Sequence, residues 1–303
     1  MTELNEIKIV HIGLGKTSTS TLQIKIFPEI CNRLSIELLD VDNFIRKDQI
    51  IKKKYHPLED SNNIDLPKRF LISKEGLVGK SWRPQNYARA FEINKKIFNE
   101  DCKILITIRK PSDLLSSTYT QAIQNFNIIK EEDFFIFEKD KQLANNKFNL
   151  YYFDYNKLIN LYRSFYKNVI VVKYEDIKKL NFLDELFDLD KDFKKKLEIN
   201  MQKHNINKSF SKIGVKIFFV LNKFFSLEKF NKFIFDKIYD GKHRNNNIFN
   251  KIKIKFLAQM IIRNKIHQFD KIKIFYRKYN IVKEKLPIDI DKLDSEYNRN
   301  TYI

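Results

Sequence analysis

The sequence predicts an α/β fold in three layers, with a central parallel sheet between helices and a helical, basic part at the C-terminus. Over residues 6–189, apolar runs typical of buried strands alternate with segments whose apolar residues have helical spacing. Strands that alternate with helices form parallel sheets that are covered on both faces. The 303 residues are 43% hydrophobic, which supports a real core. We expect an α/β core over 1–202 and a helical extension over 203–303.

The elements follow in a regular order. The expected strands are 6–15, 36–42, 68–76, 102–111 and 168–176. The expected helices are 20–34 with a bend near Pro28, 84–100, 112–126 with Ser112 as candidate N-cap, and 180–189. Ligands of such sheets bind beyond the carboxyl ends of the strands. The polar segments expected to meet there are 13–21, 73–76, 109–117 and 174–176.

The net charge of +19 is concentrated in one block near the C-terminus. Residues 203–285, the basic block, contain 21 Lys and Arg against 5 Asp and Glu, whereas the other residues contain 36 against 33. Basic helices interleaved with Phe suit an anionic membrane surface or an anionic ligand such as an acidic polysaccharide or a lipid-linked glycan. A helical subdomain with solvated lysine faces is the alternative. No nucleic-acid reader motif is visible, so nucleic acid is not an expected partner.

Other features concern the compartment of the protein. The N-terminus has no apolar segment of the kind found in signal peptides. The apolar run 213–225 contains two lysines and is too short to span a bilayer. Cys31 and Cys102 follow no metal-ligand spacing, which favours buried free thiols in a reducing compartment. The sequence therefore favours a cytoplasmic location, with peripheral attachment at the inner membrane face if the basic block binds lipid.

The stretch "IVHIGLGKTSTSTLQ" (9–23) has the pattern of an anion-binding loop. A strand leads through glycines and Lys16 into a helix start that carries five consecutive hydroxyl residues. Backbone N–H groups and the positive end of a helix favour anions at such a place. The ATP-binding motif G-x-x-x-x-G-K-[ST] fits Gly15, Lys16 and Thr17, but its first glycine falls on Val10. An ordinary strand–helix turn is the alternative interpretation.

The same residues resemble a known family. "HIGLGKTSTSTLQ" is similar to the 5′-phosphosulfate loop of sulfotransferases that use 3′-phosphoadenosine-5′-phosphosulfate, particularly the bacterial members. The resemblance implies a fold like that of P-loop-containing nucleotide hydrolases, and it implies that Lys16 contacts the transferring sulfuryl group and the bridging oxygen. The residues that it assigns to the 5′-phosphate are Gly15, Thr17, Ser18, Thr19, Ser20 and Thr21. Donor chemistry of this kind requires no metal, and no metal-ligand cluster is visible in the sequence.

A second motif supports the resemblance. In "ILITIRKPSDLLSSTYTQ" (104–121), Arg109 ends a strand and Ser117 follows eight residues later. The family holds the 3′-phosphate with such a pair, and a guanidinium fork with a hydroxyl suits a terminal phosphate. Ser116 competes with Ser117 for this role. "NVIVVKYEDI" (168–177) resembles a later core strand of the family, whose final Tyr-Glu-Asp we interpret as structural.

The proposed transfer also needs a general base. Transfer to a hydroxyl needs a group that accepts its proton. Glu75 follows an expected strand at the carboxyl edge of the sheet and is the candidate, with His204 as the alternative. His11 lies within the first strand, where core packing is the expected role.

We therefore expect a cytoplasmic enzyme that transfers a sulfuryl group to a hydroxyl of a glycan or a lipid. A P-loop kinase or nucleotide hydrolase is the first alternative, disfavoured by Val10 and by the lack of a convincing metal-holding aspartate. Asp40 is the best available residue for that role. A non-catalytic protein that binds a membrane or nucleic acid is the second alternative. The sequence does not identify the acceptor or the oligomeric state.

Overall fold

The computed structural model describes residues 6–40, 65–79, 86–124, 130–137, 147–150, 154–203, 211–217 and 279–300. The candidate base His204 and most of the basic block lie outside these residues. By its contacts the chain divides into two compact units. The first comprises Met1–Leu114, Phe135–Ile206 and Leu286–Ile303, and the second comprises Leu115–Phe134 and Asn207–Lys285.

A parallel sheet forms the centre of the first unit and confirms the predicted fold class. Within the described residues the strands are β1 Ile7–Gly13, β2 Glu37–Leu39, β3 Arg69–Ser73, β4 Lys103–Ile108, β5 Phe135–Ile136, β6 Phe148–Asn149 and β7 Asn168–Lys173. Five of these form one sheet in the order β2-β3-β1-β4-β7, and every neighbouring pair is parallel. Strands β5 and β6 form a separate parallel pair. The five predicted strands are thus the five strands of the central sheet.

The helices in the described residues include α1 Thr19–Thr21, α2 Phe27–Leu34, α3 Asn86–Ile97, α4 Pro111–Gln124, α5 Glu131–Phe134, α6 Tyr155–Arg163, α7 Leu183–Leu186, α8 Lys191–Lys203 and α9 Ile290–Arg299. A π turn spans Leu22–Ile26, and 3₁₀ turns span Glu75–Val78, Ile177–Lys179 and Lys283–Lys285. None of the helices in the described ranges combines the length and the apolar character that a bilayer crossing requires.

Successive side chains along each strand point to opposite faces of the sheet, and helices pack on both faces. Ile9, Leu71 and Leu105 point to one face, where they share a buried cluster with residues of α2 and α8. Their neighbours Val10 and Ile72 are buried on the opposite face, where α6 packs against β4 and β7 and also contacts α3. Both faces are therefore covered, as a parallel sheet requires.

The helix that follows the glycine–lysine loop, which is residues 14–18 between β1 and α1, is irregular where Pro28 was expected to bend it. Phe27 donates its N–H to the carbonyl of Leu22, which is the hydrogen bond of a π turn. Pro28 lacks an N–H group, and its ring would clash with the carbonyl four residues earlier in a regular α-helix. The wider turn immediately before Pro28 accommodates this ring.

The start of α4 differs from the prediction. The helix begins at Pro111, and Leu114 donates to the carbonyl of Lys110 at 3.0 Å. Lys110 therefore precedes the first turn, and the prediction that Ser112 is the N-cap is wrong. Proline suits the first helical position because its fixed φ matches the helix and its missing N–H is not needed there.

The second unit includes most of α4, together with α5 and the described residues 279–285. The Tyr119 ring packs on Phe134, at 5.5 Å between ring centroids, and on Tyr279, at 5.7 Å. Ser116 Oγ accepts the N–H of Ile281 at 3.2 Å. The predicted division into a core over 1–202 and an extension over 203–303 stays a prediction, and the described residues 286–300 group by contacts with the first unit.

Candidate functional site

The candidate site lies at the carboxyl edge of the sheet in the first unit. The glycine–lysine loop follows β1, and the 3₁₀ turn Glu75–Val78 follows β3. A hydrogen bond of 3.2 Å from Lys74 N to the carbonyl of His11 brings this turn beside the loop. Arg109 follows β4 and Tyr174 follows β7, and Tyr174 N bonds to the carbonyl of Ile108 at 2.7 Å. The parallel topology therefore gathers these segments at one place.

The loop has an unusual backbone. Lys16 (φ 70°) and Ser18 (φ 60°) both adopt the left-handed conformation, which side chains other than glycine rarely adopt. The first helical hydrogen bonds run from Thr21 N and Leu22 N to the carbonyl of Ser18, at 2.9 and 3.1 Å. The N–H groups just before Thr21 therefore stand at the open end of the helix. Ser18 is the N-cap residue, yet its hydroxyl makes no capping hydrogen bond.

Beneath the loop, hydroxyl groups form a buried network. Thr17 Oγ1 donates to the carbonyl of Leu14 at 2.5 Å and lies 2.8 Å from Thr107 Oγ1. Thr19 Oγ1 lies 3.4 Å from Thr17 Oγ1, and both threonines are buried. These two hydroxyls are therefore directed inward, and only the backbone N–H groups of Thr17 and Thr19 remain to serve a ligand. Ser18, Ser20 and Thr21 are partly exposed.

The buried side chain of His11 also belongs to this network. Its Nδ1 lies 2.7 Å from Ser73 Oγ, and its Nε2 lies 3.2 Å from Thr107 Oγ1. Burial lowers the pKa of His11 from 6.5 to about 3, so the ring is neutral near pH 7. The imidazole thus joins β1 to β3 and β4, which agrees with the expected core role.

Gly13 is required by this packing, and the sequence prediction did not identify it. A Cβ atom at Gly13 would lie 2.8 Å from Thr107 Oγ1 and still closer to Thr19 Oγ1. A Cβ atom at Gly15 would instead meet only Glu75 Oε2, at 3.8 Å, which is an ordinary contact. Of the two glycines, Gly13 is the one whose missing side chain allows the buried network to form.

Arg109 links the two predicted donor motifs. Its Nη1 donates to the carbonyl of Lys16 at 2.9 Å. Its guanidinium lies over the Tyr174 ring, 4.3 Å from the centroid. The residue is only 8% exposed, and in the described part of the chain no acceptor lies within hydrogen-bond distance of its Nε. A buried, charged donor without a partner fits an anionic ligand.

Glu75 lies beside the loop and lines a cleft of about 620 Å³. The other described residues of this cleft are Ser20, Gln23, Leu38, Leu39, Asp40, Ser73, Lys74 and Gly76. Desolvation raises the pKa of Glu75, while the charges of Lys16 and Lys74 oppose this shift. The side chain is still exposed, so solvent screening weakens both effects. Asn94 holds the same turn by donating to the carbonyl of Leu77 at 2.8 Å.

The structure thus brings together the loop 15–21, Glu75 and Arg109. Ser117 lies on α4 in the second unit and is buried. Its competitor Ser116 already accepts the N–H of Ile281, whereas no hydrogen bond to the Ser117 hydroxyl occurs among the described residues. Tyr174 was expected to be structural, and no signal in the sequence indicated its contact with Arg109. The described residues contain no group of three or more His, Cys, Asp or Glu placed to hold a metal ion.

Comparison with known proteins finds similarity at the level of structure. No family model matches the sequence, and no curated protein matches it. Among solved structures, the crystal structure of mouse sulfotransferase SULT7A1 complexed with PAP is similar to this chain with a TM-score of 0.34 and 14% sequence identity. That similarity covers 86% of this chain and 91% of the mouse chain.

Proposed function

We propose that this protein is a sulfotransferase that uses 3′-phosphoadenosine-5′-phosphosulfate as donor and a hydroxyl of a glycan or a lipid-linked molecule as acceptor. The observation that carries the proposal is the buried Arg109, which bonds to the carbonyl of Lys16 and keeps its Nε available. A cradle for the 5′-phosphate and a strand-end guanidinium for the 3′-phosphate would then share one edge of the sheet. The role of Ser117 beside the 3′-phosphate remains a prediction from sequence.

Lys16 and Glu75 have different roles in the proposed reaction. The acceptor oxygen attacks sulfur while the bond from sulfur to the bridging oxygen of the 5′-phosphate breaks. The acceptor proton passes to the carboxylate of Glu75, and negative charge builds on the departing diphosphate. Lys16 stabilises that charge, which makes its contribution larger in the transition state than in the ground state. The N–H groups at the start of α1 hold the 5′-phosphate throughout.

The first experiment is calorimetry with 3′,5′-diphosphoadenosine and with ATP, each with and without Mg²⁺. We expect the diphosphate to bind without Mg²⁺ and in clear preference to ATP, which has no 3′-phosphate. A charged hydrogen bond contributes about 1.5–3 kcal/mol, so Arg109→Ala should weaken diphosphate binding about 10- to 100-fold. Arg33→Ala is the matched control because Arg33 is exposed at the far end of α2.

The same titrations separate the proposal from its alternatives. Tight, Mg²⁺-dependent binding of ATP with no response to the diphosphate would instead identify a kinase or nucleotide hydrolase. Binding of neither nucleotide would leave the protein as a non-catalytic binder of anionic surfaces. A sulfation assay with labelled donor and fractionated glycans and lipids would then identify the acceptor.

A further inference from the structure

We propose that α9, near the C-terminal end of the chain, positions the donor-binding arginine through Asp294 and Tyr297. This inference rests on the proposed function, since it concerns how Arg109 is held for the 3′-phosphate. Neither residue would touch the donor. Both would act through two segments that hold Arg109, which are the turn from Arg109 into the first residues of α4 and the residues around the end of β7.

Asp294 holds the first of these segments. Its Oδ1 accepts the N–H of Ser112 at 3.0 Å, and its Oδ2 lies 3.6 Å from Lys110 Nζ. Asp294 is only 5% exposed, so solvent screens this contact little. The first turn of a helix has N–H groups without intrahelical partners, and Asp294 supplies one of the missing acceptors from another helix. The turn that carries Arg109 is thereby fixed at its C-terminal side.

Tyr297 holds the second segment. Its hydroxyl donates to Glu175 Oε2 at 2.5 Å, and Lys173 Nζ lies 4.9 Å from the centroid of its ring. These two partners flank Tyr174, on which the Arg109 guanidinium is stacked. One helix therefore fixes the residues on both sides of the aromatic ring that supports Arg109.

Tyr155 connects the two contacts. Its hydroxyl donates to the carbonyl of Arg109 at 2.8 Å, and its ring packs edge-on against Tyr297 at 6.3 Å. Besides its own bond to the Lys16 carbonyl, Arg109 thus has supports from Tyr155 of α6 and from Tyr174 after β7, and α9 contacts both of these regions. Since a shift of the turn would move the charged fork away from a terminal phosphate, losing α9 contacts should affect 3′-phosphate recognition specifically.

The test measures recognition of the 3′-phosphate as a ratio. For each full-length variant, the dissociation constants of 3′,5′-diphosphoadenosine and adenosine 5′-phosphate are determined by calorimetry. Asp294→Ala and Tyr297→Phe should each lower the ratio of the two affinities by about 3- to 10-fold, because each removes a hydrogen bond that fixes the turn or Tyr174. Asp294→Asn keeps an acceptor for Ser112 N and should restore part of the loss. Asp291→Ala removes an exposed carboxylate from the same helix and is the control.

The outcomes distinguish this inference from the proposed function. If the unmodified protein does not discriminate between the two nucleotides, the proposed function itself fails. If it discriminates and both α9 variants keep the full ratio, the positioning role is wrong while the proposed function stands. Should Asp294→Ala fail to fold, Tyr297→Phe still decides, since it removes one oxygen atom and leaves the ring in place. An equal loss of affinity for both nucleotides would indicate general loosening and would also contradict the positioning role.

Discussion

The Glu75 carboxylate lines the cleft and lies close enough to Lys16 to feel its charge, and it is the proposed base. Glu75→Gln should keep donor binding and lower turnover about 10²-fold or more, because the amide cannot accept the proton. Asp40→Asn, which changes another carboxylate of the same cleft, is the matched control. Both are measured by steady-state kinetics beside calorimetry with the diphosphate. Unimpaired turnover of Glu75→Gln would remove Glu75 as the base and make His204 the next residue to test.

Glu75 should also determine how turnover depends on pH. A carboxylate accepts a proton only while it is ionised, so if Glu75 is the base, turnover should fall as pH falls through its pKa. Since desolvation raises this pKa, the fall should begin at a higher pH than for an ordinary glutamate.

His11 makes the stability of the fold depend on pH. Its pKa is about 3 in the folded protein, against an ordinary value of 6.5. Between these values only the unfolded chain binds a proton, so the free energy of unfolding should fall with falling pH, by about 1.4 kcal/mol per pH unit. Urea unfolding at pH 7.5 and 5.5 measures the effect. His11→Asn should lower the free energy of unfolding at pH 7.5 and remove this part of its pH dependence. If the free energies of unfolding of the variant and of the unmodified protein change in parallel with pH, His11 is not the source of the effect.

Among the helices and strands, the junction of β1 with α1 gives a matched pair of glycine variants. Gly13→Ala should lower the free energy of unfolding by about 1–3 kcal/mol, because its methyl group overlaps the Thr19 and Thr107 hydroxyls. Gly15→Ala should change stability little, since its methyl group meets only Glu75 at an ordinary distance. Denaturant unfolding of both variants is the measurement. If both variants lose the same free energy of unfolding, the loss comes from the restricted backbone at these glycines and not from overlap with the Thr19 and Thr107 hydroxyls.

The sequence predicted the elements whose signals are local. Apolar runs marked the strands of the central sheet, and the glycines with Lys16 marked the loop after β1. The start of α4 was placed one residue late although Pro111 is itself a local signal, whereas the acceptor for Ser112 N, which comes from Asp294 far away in the chain, has no such signal. The contact of Tyr174 with Arg109 was missed for a similar reason, since it depends on the register between β4 and β7. Local patterns carry no information about such long-range contacts.

For the chain as a whole, the basic block 203–285 should confer salt-dependent binding to anionic surfaces, because its balance of charges is strongly positive. Sedimentation with anionic and with neutral liposomes, at low and at moderate salt, tests this. Replacing Lys251, Lys253 and Lys255 by Gln should weaken binding to the anionic liposomes. The control replaces the exposed Lys178, Lys179 and Lys195 of the first unit in the same way. Equal sedimentation with both lipids would favour the solvated lysine faces or an acidic glycan.

The contact between Ser112 and Asp294 joins residues that are 182 positions apart in the sequence. During synthesis, the strands β1, β3, β4 and β7 are complete well before α9 leaves the ribosome. A nascent chain can therefore form the sheet while the turn at Arg109 still lacks its last support. Contacts between such distant residues form late because closing a long loop costs entropy first. The order of translation thus lets α9 join the turn at Arg109 only after the strands of the sheet have been made.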